Sequence, residues 1–261
     1  MNEIRKTQLK LLEGLKYIDG ICRKNSLVYF VHTGTLLGAV REKGFIPWDM
    51  DIDLLMPEED CKKLLDLVRE ANDPRYTAVP ASEGVCLSDR IMINNAYCLY
   101  RSGEKAFLHI GICSYSYAER KVRFLQPLYS KTVLLLANVI GIRHKKPDTS
   151  FLKKTIIRIA DICCFALSDD DIRAWIRWIA VSRKKTDFIT VYNAFYGFIK
   201  ETYPAGDFAD QKRVPFEDME VPVPAGYDNV LRRLYGNWQV PPPENKRFAP
   251  ELSGMTLVEE G

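Results

Sequence analysis

The stretch TGTLLGAVREKGFIPWDMDIDLLM, residues 33–56, decides the fold of this chain. In its second half Asp49, Asp51 and Asp53 alternate with apolar residues. This period of two predicts a half-buried β-strand over residues 49–56. The three carboxylates then share one face of the strand, about 6.8 Å apart, and each neighbouring pair repels by roughly 2 kcal/mol. A cation between them relieves that repulsion, and Mg²⁺ in particular is held by one or two carboxylates plus substrate phosphates.

An exposed acidic loop is the alternative for these aspartates. The apolar residues Ile52, Leu54, Leu55 and Met56 lie among and directly after them and require burial. A strand with one buried face satisfies that requirement, whereas a solvated loop does not. The pattern therefore favours the strand.

The first half of the stretch supplies a phosphate-binding element. Residues 27–31 are predicted to form a short strand, Gly34 and Thr35 a turn, and residues 36–40 a short helix. Glycine allows the backbone to approach a ligand closely, and the free N–H groups at a helix start attract phosphate. Arg41, at the end of this helix, has a guanidinium that can bind a phosphate through two N–H groups.

These residues resemble the signature of the LicD family, in the run GTLLGAVREKGFIPWDMDIDLLMPEED at residues 34–60. The resemblance includes Gly44, Phe45, Pro47 and Trp48 as well as the acids. The LicD family comprises bacterial phosphocholine transferases for teichoic acid and lipopolysaccharide, with the fukutin-type ribitol-phosphate transferases as relatives. A Gly-Thr turn followed by Asp-x-Asp on a strand is also similar to the wider nucleotidyltransferase fold.

The resemblance implies an α+β fold, with a nucleotidyltransferase-like mixed sheet flanked by helices and a helical insertion lobe. We expect a nucleotidyltransferase-like core at residues 1–116, a helical lobe at 117–200, and a C-terminal LicD-like segment at 201–261 that packs back on the core. Residues 214–238 support the last assignment, because they are similar to the LicD pattern of two short strands, a turn and a helix ending in Leu-Tyr-Gly.

The resemblance also implies a function and a set of site residues. The expected activity moves a phosphocholine-like group from a CDP-linked donor to a hydroxyl of a cell-surface glycan or its lipid-linked precursor. Three of the candidate site residues are metal ligands, three cradle or clamp phosphate, and two contact substrate. These are Asp51 and Asp53 for Mg²⁺ or Mn²⁺ with Asp49 in support, Gly34 and Thr35 at the diphosphate with Arg41 neutralising the leaving group, and Lys43 and Trp48.

The chain departs from the family at a later strand, where LicD-like proteins carry further acids. Residues 109–116 read HIGICSYS, so that Gly111 and Ser116 stand at the positions of a third and a following acid. Asp89, Glu104 or His109 as a base could fill the role. Otherwise activity is low, or the protein binds nucleotide without turnover. An NTP-dependent nucleotidyltransferase is a further alternative with the same metal requirement.

Composition restricts the partners and the compartment. A net charge of +3 on 261 residues gives no argument for nucleic acid. No secretory signal is recognisable, and the seven cysteines lack CxxC spacing, so we expect reduced thiols in the cytoplasm. No apolar run reaches the roughly 20 residues of a membrane span. The basic region 143–154 is expected to be a solvated loop, or alternatively a peripheral contact with the inner face of the membrane.

Overall fold

The computed structural model of the chain describes residues 2–81, 88–118, 132, 135–136, 138–140, 151–164, 166–191, 200–247 and 254–260. The helices with defined ends are α1 (Glu3–Lys24), α2 (Thr33–Arg41), α3 (Glu58–Ala71), α4 (Phe151–Cys163), α5 (Asp169–Ala180) and α6 (Tyr227–Tyr235), with 3₁₀ turns at Ala205–Phe208 and Glu244–Lys246. The strands are β1 (Phe30–Val31), β2 (Asp53–Pro57), β3 (Tyr76–Val79), β4 (Asp89–Leu99), β5 (Lys105–Tyr117), β6 (Phe188–Thr190), β7 (Thr202–Pro204), β8 (Gln211–Phe216), β9 (Met219–Pro224) and β10 (Thr256–Glu259).

A mixed sheet forms the centre of the molecule, in the order β1-β2-β5-β4-β10. Strand β3 pairs with β4, and β6 pairs with both β5 and β7. The β2–β5 pair is parallel, and the other pairs of this sheet are antiparallel. Strands β8 and β9 form a separate hairpin. This architecture confirms the predicted α+β class with a mixed sheet and flanking helices.

Helices α1 and α3 cover one face of the sheet. The amphipathic pattern of α1 buries Leu11, Leu15 and Ile18, as its spacing predicts. Gly14 lies on the same side of α1, and a Cβ there would come within 3.0 Å of the Ile110 side chain on β5. The helix therefore packs closely on the sheet where glycine leaves room, and the opposite face of the sheet is left for other groups.

Some strand boundaries differ from the predictions. The second strand begins at Asp53, not at Asp49, because the preceding backbone bonds locally. The Asp49 N–H donates to the Ile46 carbonyl at 2.9 Å, and the Met50 N–H donates to the carboxylate of Asp49 at 3.0 Å. The first strand is confined to Phe30–Val31.

Strand β4 is long and irregular. It runs continuously over Asp89–Leu99, with a register shift against β5 between Met92 and Tyr97. A bulge of this kind lets one strand bend without ending.

The middle of the chain has a small apolar cluster of its own. It contains Leu136, Val139, Ile140, Ile157, Ile172 and Ile176, all buried. This agrees with the predicted helical character of residues 117–200, although β6 lies in the same range and pairs with β5. The division into three segments stays a prediction. Of the basic region 143–154, residues 143–150 lie outside the described part of the chain, and residues 151–154 belong to α4 and not to a loop. Across the described residues, no helix has the length and apolarity that crossing a bilayer requires.

Candidate functional site

The site is built where β1 turns into α2. Thr33, the first residue of the helix, has a φ of 45°, which is unusual for a β-branched residue. Its hydroxyl donates to Asp53 Oδ2 at 2.5 Å. The N–H of Asp53 in turn donates to the hydroxyl of Thr35 at 3.0 Å. Two threonines of the helix start therefore hold Asp53 at the beginning of β2.

A second carboxylate lies over the same turn. A Cβ on Gly34 would come within 2.5 Å of Asp49 Oδ2, so a side chain at position 34 would displace that carboxylate. The positive end of the helix dipole stabilises anions at this location. Asp51, between the two, is exposed. The structure thus brings five predicted residues together at the first turn of α2, namely Gly34, Thr35, Asp49, Asp51 and Asp53.

The crowding of acids perturbs two of them. Burial, the Asp51 charge and a hydrogen bond to Asp51 raise the pKa of Asp49 to about 8. Burial and the Asp51 charge likewise raise the pKa of Asp53 to about 6, against the lowering effect of the Thr33 hydroxyl and of His32. Both shifts mean that the fully ionised aspartates are unfavourable together without a compensating cation.

The donor set fits a cation that also binds substrate. Within the described part of the chain, no three His, Cys, Asp or Glu side chains converge closely enough to form a complete metal site. Mg²⁺ does not require one, because it commonly takes one or two carboxylates and completes its shell with water and substrate phosphates. Asp49 and Asp53 are the candidate ligands, because their carboxylates lie at the first turn of α2.

Gly111 faces the site from the neighbouring strand. Asp53 on β2 pairs with Gly111 on β5, and Gly111 pairs with Arg90 on β4, so the three positions form a row across the sheet. A Cβ on Gly111 would lie 2.7 Å from Asp53 Oδ1. Position 111, where the family carries a third acid, therefore faces Asp53. In this chain the Asp53 carboxylate occupies the space next to Gly111.

Two of the three predicted substitutes for that acid lie elsewhere. Asp89 belongs to the opposite face of the sheet, where it accepts from the Cys61 thiol of α3 at 3.1 Å. Glu104 precedes β5, and seven residues of extended chain, about 23 Å, separate it from Gly111. His109 is on the site face, two residues before Gly111, and burial lowers its pKa. Of the three, His109 alone has the right placement.

Ser116, the other departure from the family pattern, does not face the site. Its hydroxyl donates to Glu58 Oε2 at 2.9 Å, at the start of α3. It connects the sheet to that helix and takes no part in the acid cluster.

Three residues that the sequence did not single out lie at the site. His32 Nε2 and Glu201 Oε2 are 3.1 Å apart, and both side chains are buried. The Glu201 charge contributes to raising the pKa of Asp53, which places this carboxylate beside the cluster. Arg90 has a buried Nε with no hydrogen-bond partner. His32 directly precedes the Gly-Thr turn and could have been suspected, but nothing local in the sequence connects Glu201 or Arg90 to it.

Other predicted residues are placed away from the first turn of α2. Arg41 is at the far end of the helix, where its guanidinium contacts Glu42 Oε1 at 2.6 Å and the Trp238 carbonyl at 3.1 Å. Lys43 is exposed and lines a cavity of about 460 Å³ together with Arg5.

Trp48 immediately precedes the acid row and is partly buried against the core. The guanidinium carbon of Arg247 lies 5.4 Å from the centre of its ring. Arg247 of the C-terminal segment thus contacts the residue that precedes the acid row.

Comparison with known proteins identifies relatives of this site and of the chain around it. The family described as LicD/FKTN/FKRP, nucleotidyltransferase domain, matches residues 26–130. The lipopolysaccharide cholinephosphotransferase LicD of Haemophilus influenzae is 25% identical over 248 residues, which are 92% of this chain and 93% of that protein. An uncharacterised protein of Rickettsia prowazekii is 36% identical over 72 residues, 28% of this chain and 27% of that protein.

The matched region contains the helix start, the acid row and the strand with Gly111. The similarity to the LicD family therefore covers residues 26–130, and the similarity to the LicD protein of Haemophilus influenzae extends over nearly the whole chain.

Proposed function

We propose that this protein is a phosphotransferase that moves a phosphocholine-like group from a CDP-linked donor to a hydroxyl of a cell-surface glycan or its lipid-linked precursor. The observation that carries the proposal is the convergence of the Asp49 and Asp53 carboxylates on the first turn of α2. The similarity to the Haemophilus influenzae cholinephosphotransferase extends over nearly the whole chain and supports the choice of transferred group.

The acid cluster would hold a divalent metal, Mg²⁺ or Mn²⁺. Asp53 and Asp49 are the expected ligands, with the exposed Asp51 next to them. When bound, such an ion neutralises the charge of a diphosphate, which is the main requirement of phosphoryl transfer.

The chain's own groups have separate tasks in this proposal. The first N–H groups of α2 have no partner within the helix and bind a donor phosphate. Arg90, with its unpaired Nε on the same face as Gly111, neutralises phosphate charge there. Arg41 reaches substrate only if it exchanges its present contacts with Glu42 and Trp238.

The transfer breaks the bond between the transferred phosphorus and the bridging oxygen of CMP, and forms a bond to the acceptor oxygen. The acceptor hydroxyl loses its proton in this step. We assign the proton to His109, because burial lowers its pKa and keeps the imidazole neutral and able to accept at pH 7.

The direct test follows the conversion of CDP-choline by phosphorus NMR, with Mg²⁺ and an acceptor oligosaccharide. We expect CMP and a phosphodiester, and a loss of about a hundredfold or more in the Asp53→Asn variant. Asp66→Asn is the matched control, since Asp66 is an exposed α3 residue with a single ion pair to Arg69 at 3.5 Å. Undiminished transfer by Asp53→Asn contradicts the assignment.

Nucleotide binding without turnover is the second candidate, and Gly111 specifically favours it. In place of a third carboxylate, position 111 offers only backbone beneath Asp53. This alternative predicts CDP-choline binding with no CMP release. A parallel reaction with CTP in place of CDP-choline tests for nucleotidyl transfer, which would show as pyrophosphate release.

A further inference from the structure

Helices α4 and α5 carry five large apolar side chains that face solvent. Ile156, Ile159 and Ile162 on α4 are 52, 57 and 70% exposed, and Trp175 and Trp178 on α5 are 51 and 77% exposed. We call these five side chains the apolar ridge. Exposed apolar groups in such number, unlike single ones, mark interaction sites on soluble domains.

Among the described residues of this segment, the apolar ridge is separate from the buried apolar cluster. Each helix already has a buried stripe, formed by Ile157 on α4 and by Ile172 and Ile176 on α5, inside the second apolar cluster. The exposed residues repeat at intervals of three, so they share a different stripe of each helix. Both helices are therefore apolar on an outer face as well as on the inner one.

The segment that contains these helices is strongly basic. Residues 117–200 have 16 lysines and arginines against seven aspartates and glutamates, whereas the whole chain has 37 against 34. The rest of the chain is consequently acidic. On the described part of the segment, the exposed Arg158 lies within α4, and the exposed Arg183, Lys184 and Lys185 follow α5.

Three of the seven acidic residues of this segment, Asp169, Asp170 and Asp171, lie in the first turn of α5. Asp171 forms a capping box with Ser168, and Asp170 contacts Arg173 at 3.2 Å. These acids stabilise α5 at its N-terminal end. The basic side chains Arg183, Lys184 and Lys185 lie beyond its C-terminal end.

We propose that the apolar ridge and its basic surroundings dock on an anionic lipid bilayer. Apolar and tryptophan side chains enter the interface between headgroups and acyl chains, while lysine and arginine attract anionic headgroups. A second copy of the chain fits less well, because two segments of the same positive charge would face one another.

Two contacts tie α5 to the central sheet and to α3. Arg177 on α5 binds Glu58 at 2.9 Å, and the Ser182 N–H donates to the Tyr117 carbonyl at 2.7 Å. Tyr117 ends β5, six residues or about 20 Å from Gly111. If the proposed function holds, docking keeps the protein at the surface where a lipid-linked acceptor resides; the docking itself does not depend on that function.

Cosedimentation of the full chain with phosphatidylcholine vesicles, with and without phosphatidylglycerol, tests the proposal. We expect the parent to bind vesicles that contain phosphatidylglycerol, and the double variant Ile162→Ser, Trp178→Ser to bind at least about tenfold more weakly. Phe107→Ser is the matched control, because Phe107 is 55% exposed but lies on β5 outside these helices. Lys184→Gln with Lys185→Gln should weaken the preference for phosphatidylglycerol.

Thermal unfolding verifies that each variant is folded, which is expected because the substituted side chains are exposed. Failure of the parent to bind either vesicle overturns the proposal, as does equal binding by parent and double variant. A parent that is dimeric and that the double variant converts to monomer, without vesicle binding, assigns the ridge to a second copy instead. Activity on a soluble donor is not part of the readout, so failure here is distinguishable from failure of the proposed function.

Discussion

Replacing Asp53 by asparagine should stabilise the metal-free protein at neutral to basic pH. Burial and the Asp51 charge raise the pKa of Asp53 from 3.8 to about 6. A shift of about two units costs the folded state about 3 kcal/mol once the group is ionised, at about 1.4 kcal/mol per unit. Asparagine removes the charge and keeps an oxygen for the Thr33 hydroxyl, whose bond to Asp53 is 2.5 Å long. Allowing about 1 kcal/mol for the imperfect replacement, we expect a net gain of about 2 kcal/mol.

The sign and the pH window of this gain follow from linkage. Below pH 4 both the folded and the unfolded parent carry the proton of Asp53, so the substitution changes little. Between pH 4 and 6 the unfolded parent ionises first, and the folded parent loses stability relative to it as pH rises. The gain of Asp53→Asn therefore grows over this interval and is complete above the folded pKa of about 6.

Thermal unfolding at pH 4 and pH 8, without divalent metal, measures the effect. For a chain of this size about 2 kcal/mol corresponds to a rise in Tm of roughly 4–8 °C at pH 8. Asp66→Asn, at an exposed position on α3, should show no such pH-dependent gain. A lower Tm for Asp53→Asn at pH 8, or the same gain at both pH values, would refute the reasoning.

The remaining predictions concern neighbours of Asp53. His32→Ala removes the imidazole that contacts the buried Glu201 carboxylate at 3.1 Å and should lower the free energy of unfolding by about 1–3 kcal/mol in chemical denaturation; a loss under about 0.5 kcal/mol means that this contact contributes little to stability. Gly111→Ala places a Cβ 2.7 Å from the Asp53 carboxylate and should lower transfer at least about tenfold with little change in Tm, whereas unchanged activity means that Asp53 moves aside without consequence. Arg90→Met should raise the KM for CDP-choline more than it lowers kcat, and an unaltered KM in steady-state kinetics removes Arg90 from the phosphate site.

Sequence patterns predict those features of the site that depend on neighbouring residues within 33–56. The alternation of Asp49 to Asp53 with apolar residues identifies the acids of the site, although only Asp53 lies in the strand, and the Gly-Thr pair identifies the helix start that they meet. Strand β2 begins four residues later than predicted, at Asp53. The Asp49 N–H is bonded to the Ile46 carbonyl in a turn and is therefore not available for hydrogen bonds between strands. The alternation of acidic and apolar residues does not predict this turn, so it could not give the first residue of the strand.

Contacts between distant segments are less accessible from sequence. The His32–Glu201 pair joins residues 169 positions apart, and no periodicity or motif connects them. The position of Asp89 is also difficult to predict from the sequence. Its position one residue from Arg90 on β4 puts the two side chains on opposite faces, so knowledge of strand register decides which one reaches the site. The departure at Gly111 is visible in the sequence, but its closeness to the Asp53 carboxylate is a property of the parallel β2–β5 pairing.

The proposed function requires that the acid row and the start of α2 bind a divalent cation and a diphosphate together. Calorimetric titration of CDP-choline into the protein, with Mg²⁺ and again with EDTA, tests this directly. We predict heat of binding with Mg²⁺, none with EDTA, and none for Asp53→Asn under either condition. Equal affinity in Mg²⁺ and EDTA, or undiminished binding by Asp53→Asn, would contradict the central claim.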